Sequence, residues 1–237
     1  MIPIKDTIKS RHAPVMTVII IIANVLVFIY QLNLPPNALN RFLHLWGVVP
    51  ASFFRPGWAE YMGYPRRTPL PLFTSMFLHG GWLHLIANMW ALWIFGDNVE
   101  DRMGHFRFPI FYILCGLIAS AANMILYYSS PIPTIGASGA IAGVMGAYFI
   151  LFPRARILVL MPIFFYPLFF EIPAVVYLLF WFILQFLSGT QALLSGAGQV
   201  GGIAFWAHIA GFISGIILLR VFIRKRGQSE TYNRYYA

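Results

Sequence analysis

Long apolar runs separated by short polar stretches dominate this chain. Runs of about 20 apolar residues are long enough to cross a bilayer as a helix. On that measure the sequence predicts six spans, over roughly 14–32, 77–96, 108–128, 138–152, 172–187 and 200–219. A long stretch between the first two, 33–75, is rich in proline and aromatics and is expected to lie half-buried at the membrane interface. Residues 157–170 are also apolar, but Pro162 and Pro167 interrupt them and only Glu171 separates them from the fifth span. Two full spans cannot turn in so few residues, so this piece reads as an interfacial or re-entrant segment. The pattern predicts an all-α membrane protein of six transmembrane helices.

Composition agrees about the solvent. Hydrophobic residues make up 59% of the 237 and charged residues 10%, against roughly 25% charged in soluble domains. Lipid must therefore cover much of the surface. The first 13 residues lead directly into the first span without a removable signal pattern, so that span is expected to be retained. The net charge of +9 first suggests nucleic acid. Placing both termini in the cytoplasm gives a different account: 12 of the 16 Lys and Arg then lie inside, and only Arg41, Arg55, Arg66 and Arg67 lie outside. A seventh crossing at 157–170 would reverse the basic tail. The organisation expected is a cytoplasmic segment 1–13, a six-span body 14–223 and a basic cytoplasmic tail 224–237. The lone Cys115 excludes an intrachain disulfide and reads as packing.

Polar groups inside spans are costly and so point to function. His79, His84 and Asn88 fall in the second span and His208 in the sixth, while Ser138 opens the fourth within Gly136-Ala137-Ser138-Gly139. That fourth span rises only about 22 Å, so its outer end is expected below the membrane surface in a protein-lined cavity. Counted from the inner boundary, Ser138, His208 and His84 fall at about 24, 18 and 20 Å, on three different helices. Gly139, Gly143 and Gly146 form a small face beside Ser138, and Gly211 and Gly215 share a face with His208. Close packing of those faces would bring the hydroxyl and the imidazole together as nucleophile and base. Asn88 lies one turn from His84, and both could serve an oxyanion together with the Ser138 N–H. No acidic residue falls within the second, fourth or sixth run, so a Ser-His pair without a carboxylate is expected.

Taken together, His79-x4-His84-x3-Asn88, Gly96-x3-Glu100-x3-Gly104, Gly136-x-Ser138-Gly139 and Ala207-His208-x2-Gly211-x3-Gly215 resemble the rhomboid family of intramembrane serine proteases. The resemblance implies a six-span rhomboid-type bundle, N-in and C-in, with Ser138 as nucleophile and His208 as general base. It implies an oxyanion hole from His84, Asn88 and the Ser138 N–H, structural support from His79, and Glu100 and Gly104 bracing the inner end of the second span with Arg102 or Arg107. Gly136, Gly139, Gly211 and Gly215 would be supporting positions. The implied substrates are single-span or multi-span membrane proteins, cut near the outer face, often after a small residue. They would enter laterally past a gate formed by the fifth span, which carries Tyr177, Phe180, Trp181, Phe182 and Phe186. No cofactor, metal or nucleic acid is implied, and the expected location is a bacterial-type plasma (inner) membrane. Two positions differ from some relatives. Leu70-Pro71 replaces a Trp-Arg pair, and Ala142 stands where a Tyr stacks on the base.

Other readings compete. A buried His or Ser often makes only a structural hydrogen bond. A transporter would also place polar groups in spans, but no inverted repeat is visible. A metal site from His79, His84 and His208 would lack the carboxylate base usual in zinc hydrolysis. A catalytically inactive rhomboid-like client-binding protein is the remaining alternative.

Overall fold

A computed structural model of the chain describes residues 1–64, 68–163, 166–195 and 204–223. Arg66, Arg67, the start of the expected sixth span and the basic tail lie outside these residues. The chain folds as a helical bundle around α8 (Ser138–Leu151), whose residues from Gly139 to Tyr148 are all buried. Packed around α8 are α6 (Trp82–Met103), α7 (Arg107–Leu126), α9 (Ala174–Leu194) and α10 (Phe205–Phe222), with α1 (Val15–Leu32) against α6.

Among the described residues, four helices, α1, α7, α9 and α10, are long and apolar enough to cross a membrane. A fifth crossing is possible if α5 (Leu70–Thr74), the 3-10 turn Ser75–Phe77 and α6 count as one broken span, bent by 93°. With 14 residues, α8 rises about 21 Å and stays short of a hydrocarbon core of about 30 Å. The second helix differs from its sequence-based bounds. Its apolar run begins near Phe77, but the helix starts at Trp82 and continues past Gly96 to Met103. Its last turn is polar and is held by tertiary contacts, which hydropathy does not register.

One such contact joins α6 to α1. Glu100 is buried, and its carboxylate accepts hydrogen bonds from the backbone N–H groups of Met16 (2.9 Å) and Thr17 (2.8 Å) and from Thr17 Oγ1 (2.8 Å). These N–H groups belong to the first turn of α1, which has no partner of its own for them, so Glu100 caps that helix from another element. Its remaining partner is His105 Nδ1 at 2.6 Å. Of the two expected partners, Arg107 donates instead to the carbonyl of Ile223. Gly104, at φ +85°, ends α6 in a backbone region that favours glycine and allows the tight turn into α7.

The stretch 33–75 is organised by its prolines. Pro36, Pro50 and Pro56 begin α2 (Pro36–Trp46), α3 (Pro50–Phe54) and α4 (Pro56–Tyr61), where a missing N–H costs nothing. Leu70-Pro71 opens α5 in the same way. Paired hydrogen bonds between Val48 and Thr134 tie this layer to the loop before α8.

The all-α expectation needs a correction. Residues 157–163 and 166–170 lie in two paired antiparallel strands, β2 (Arg156–Ile163) and β3 (Tyr166–Pro173), and β1 (Ile2–Asp6) pairs antiparallel on the other edge of β2. Ile157 and Val159 are fully buried and alternate with half-buried neighbours, a two-residue period that proline counting conceals. Both prolines are tolerated. Pro167 is on the edge strand, and Pro162 lies beyond Leu160, the last β2 residue that β1 reaches. The N-terminal segment is thus partly built into the body.

Candidate active site

Ser138 is the first residue of α8, so its N–H is one of the groups a helix start leaves without an intrahelical acceptor. The preceding Gly136 has φ +123°, and its amide donates to the carbonyl of Ser75 at 2.8 Å. A Cβ there would lie 2.7 Å from His84 Nε2, so glycine lets the backbone pass close to that imidazole. His84 Nδ1 accepts from the Gly80 N–H at 3.3 Å, which leaves Nε2 as the protonated nitrogen, facing the Gly136–Ser138 turn.

His208 lies one turn into α10. Its Nε2 is 2.7 Å from Ser138 Oγ, within hydrogen-bonding distance across the α8–α10 contact. Glycines make this approach possible. A Cβ on Gly211 would overlap the carbonyl oxygen of Gly139, and one on Gly215 would overlap that of Gly143. The two backbones therefore touch on the face that carries Ser138 and His208, as the small-residue pattern predicts.

The other side of His208 is occupied by residues the sequence reading did not assign to it. Gln185 Oε1 is 2.8 Å from His208 Nδ1, and the Trp181 ring lies 5.9 Å from the imidazole at 34°. Trp181 thus stands by the base although Ala142 cannot. Both come from α9, one turn apart. Gln185 was detectable by the same signal that singled out Asn88, an uncharged amide inside an apolar run.

Asn88 is buried, and its Nδ2 has no hydrogen-bond partner among the described residues. It lines an open cavity of about 500 Å³ together with Ser138 and His208, with Trp181, Tyr177 and Met1 to Pro3 also in the lining. His79 sits behind, buried, with its ring 5.0 Å from that of His84. Gln31 of α1 grips its backbone in both directions, donating to its carbonyl (2.9 Å) and accepting from its N–H (3.1 Å). Among the described residues, the three histidines do not gather into a metal-binding group.

The Rhomboid domain family matches residues 66–225, well over half of the chain and including His84, Asn88, Ser138, Gln185 and His208. The chain belongs to the rhomboid family. With its helices long and apolar enough to cross a bilayer, it is an integral membrane protein. Among its relatives, the rhomboid protease GluP of Bacillus subtilis (strain 168) is 43% identical over 76 residues, 32% of this chain and 14% of that protein. RHOMBOID-like protein 6, mitochondrial, of Arabidopsis thaliana is 38% identical over 76 residues, 32% of this chain and 24% of that protein. Presenilin-associated rhomboid-like protein A, mitochondrial, of Danio rerio is 30% identical over 97 residues, 40% of this chain and 25% of that protein. Each alignment spans a quarter or less of the relative's own length. These relatives come from mitochondria as well as from a bacterium, and do not select the bacterial inner membrane.

Proposed function

We propose that this rhomboid is an intramembrane serine endopeptidase that cleaves membrane-spanning proteins near the outer face of the bilayer. The observation that carries the reading is the 2.7 Å contact between Ser138 Oγ and His208 Nε2 inside a cavity of a membrane protein. Ser138 Oγ attacks the scissile carbonyl while its proton passes to His208 Nε2. Negative charge on the carbonyl oxygen is met by the Ser138 N–H, by Asn88 Nδ2 and by the protonated nitrogen of His84. His208 then returns the proton to the leaving amine, and a water entering from the outer side hydrolyses the acyl-enzyme with His208 again as base. No cofactor or metal takes part.

The protease body spans 14–223 as six crossings, with α8 recessed from the outer face and both termini, including the basic tail 224–237, in the cytoplasm. The twelve-to-four distribution of Lys and Arg supports that orientation. GluP, named as a protease, supports the activity by similarity.

A serine-directed fluorophosphonate, with cleavage of a model single-span substrate in liposomes, tests the reading. Labelling at Ser138, and loss of labelling and cleavage in both Ser138→Ala and His208→Ala, is the expected result. Cleavage at the wild-type rate in either variant overturns the mechanism, and an unlabelled wild type indicates an inactive client-binding relative or a transporter.

A further inference from the structure

Gln185 lies along α9 between Leu184 and Phe186, whose side chains are exposed on the lipid-facing surface. An amide in such a run requires a reason. Its Oε1 is 2.8 Å from His208 Nδ1, while the other ring nitrogen, Nε2, is 2.7 Å from Ser138 Oγ. A carbonyl oxygen can only accept, so the amide in this orientation requires the proton on Nδ1. The Nε2 lone pair is then left facing the serine hydroxyl, the tautomer a general base needs.

We propose that Gln185 is the positioning residue of this site, holding His208 in the tautomer and rotamer that can take the Ser138 proton; the assignment rests on the protease reading above. It fills the place that a carboxylate fills in a Ser-His-Asp triad, but it orients without adding charge. Trp181, four residues earlier on the same face of α9, stands beside the ring at 5.9 Å and limits its movement on that side. Both supports thus come from one helix, and α9 is lightly held: of its length only Ala174, Leu178, Gly189 and Ala192 are buried. An outward displacement of α9 by about 1 Å takes the amide beyond hydrogen-bonding range of Nδ1. Seating of α9 and competence of the base are therefore coupled through Gln185.

The test uses the full chain in detergent, with wild type, Gln185→Leu and Gln185→Glu measured across pH by fluorophosphonate labelling and by substrate cleavage. Gln185→Leu keeps the bulk and removes the acceptor. It should lower kcat and the labelling rate about tenfold or more, leave KM nearly unchanged and leave the thermal unfolding midpoint in place. Gln185→Glu restores an acceptor and adds a charge that favours the imidazolium. Its activity should recover at high pH, with the acidic limb of the pH–rate profile moved up by about one unit. A contact that only packed α9 would leave the labelling rate of Gln185→Leu at the wild-type level. Wild-type labelling rates in Gln185→Leu together with an unmoved profile in Gln185→Glu overturn the assignment. Wild-type labelling is read first, so failure of the protease reading itself, an unlabelled Ser138, is recognised separately and takes the assignment with it.

Discussion

Gly211 of α10 faces the carbonyl oxygen of Gly139 in α8 so closely that a β-carbon has no room there. The pair sits beside the Ser138–His208 contact, since Gly139 follows the serine and Gly211 lies one turn after the histidine. Helix separation at this point therefore sets the distance between hydroxyl and imidazole. Gly211→Ala forces the backbones apart, and over-packing of this kind costs about 1–3 kcal/mol. The 2.7 Å contact has little slack before it ceases to be a hydrogen bond. Cleavage by Gly211→Ala should fall at least roughly tenfold while the protein still folds. Comparing thermal unfolding in detergent with the rate of Ser138 labelling separates the two effects, and an unchanged labelling rate would contradict the account.

Asn88 presents to the cavity that Ser138 and His208 share a buried donor without a partner among the described residues. Such a donor costs about 1–3 kcal/mol in the resting protein, an expense removed when an oxyanion forms beside it. Asn88→Ala should then lower kcat by about 10²–10³, with KM little changed. Asn88→Asp, nearly the same shape, should be worse still, because its carboxylate opposes the developing negative charge. Steady-state cleavage of a single-span substrate reads both.

Ser138, His208, Asn88 and the packed glycines are legible in the sequence, for a physical reason. Lipid penalises polar side chains, so Ser138, His84, Asn88 and His208 stand out against apolar runs, and the glycine spacing announces which helices can touch. Gln185 carried the same mark, but an uncharged amide on a span otherwise full of aromatics drew no comparison with a distant histidine. The β2–β3 strand pair was hidden because Ile157 and Val159 are buried on one side of a strand whose other residues are apolar as well, which erases the alternation. The extension of α6 to Met103 was hidden for the opposite reason: its polar end is stabilised by what it grips on α1, 83 or more residues away in sequence.

Glu100 makes that grip, and its loss should be felt in stability more than in chemistry. Removing the carboxylate leaves the Met16 and Thr17 N–H groups at a buried helix start without acceptors. Glu100→Ala should destabilise the protein by about 1–3 kcal/mol, a fall of several degrees in Tm. Glu100→Gln retains one acceptor oxygen and should recover part of it. Thermal unfolding in detergent measures both, and Ser138 labelling at low temperature should stay near the wild-type rate, because Glu100 is remote from the cavity.

Asp6 introduces a pH dependence into β1, whose first residues line the same cavity. It anchors β1, with its Oδ2 accepting from Tyr148 Oη at 2.5 Å and from Asn98 Nδ2 at 2.9 Å. At the other end of the strand, Trp90 Nε1 donates to the Pro3 carbonyl at 2.6 Å, which places Met1 to Pro3 along the cavity that holds Ser138 and His208. Burial, opposed by the Tyr148 hydrogen bond and reinforced by the neighbouring Asp97 carboxylate, raises the Asp6 carboxyl from 3.8 to about 7. A carboxyl whose proton is held more tightly when folded stabilises the folded state in acid. Its contribution is complete below about pH 4 and is lost progressively as the pH rises to about 7, beyond which it stays lost. Hydrogen-exchange protection factors for the β1 amides, with intrinsic rates divided out, should therefore decline between pH 5 and 8. Asp6→Asn keeps both acceptor contacts without a titrating proton and should hold β1 protected throughout that range. Protection that is flat in the wild type, or that still declines in Asp6→Asn, would assign the anchoring of β1 to some other group.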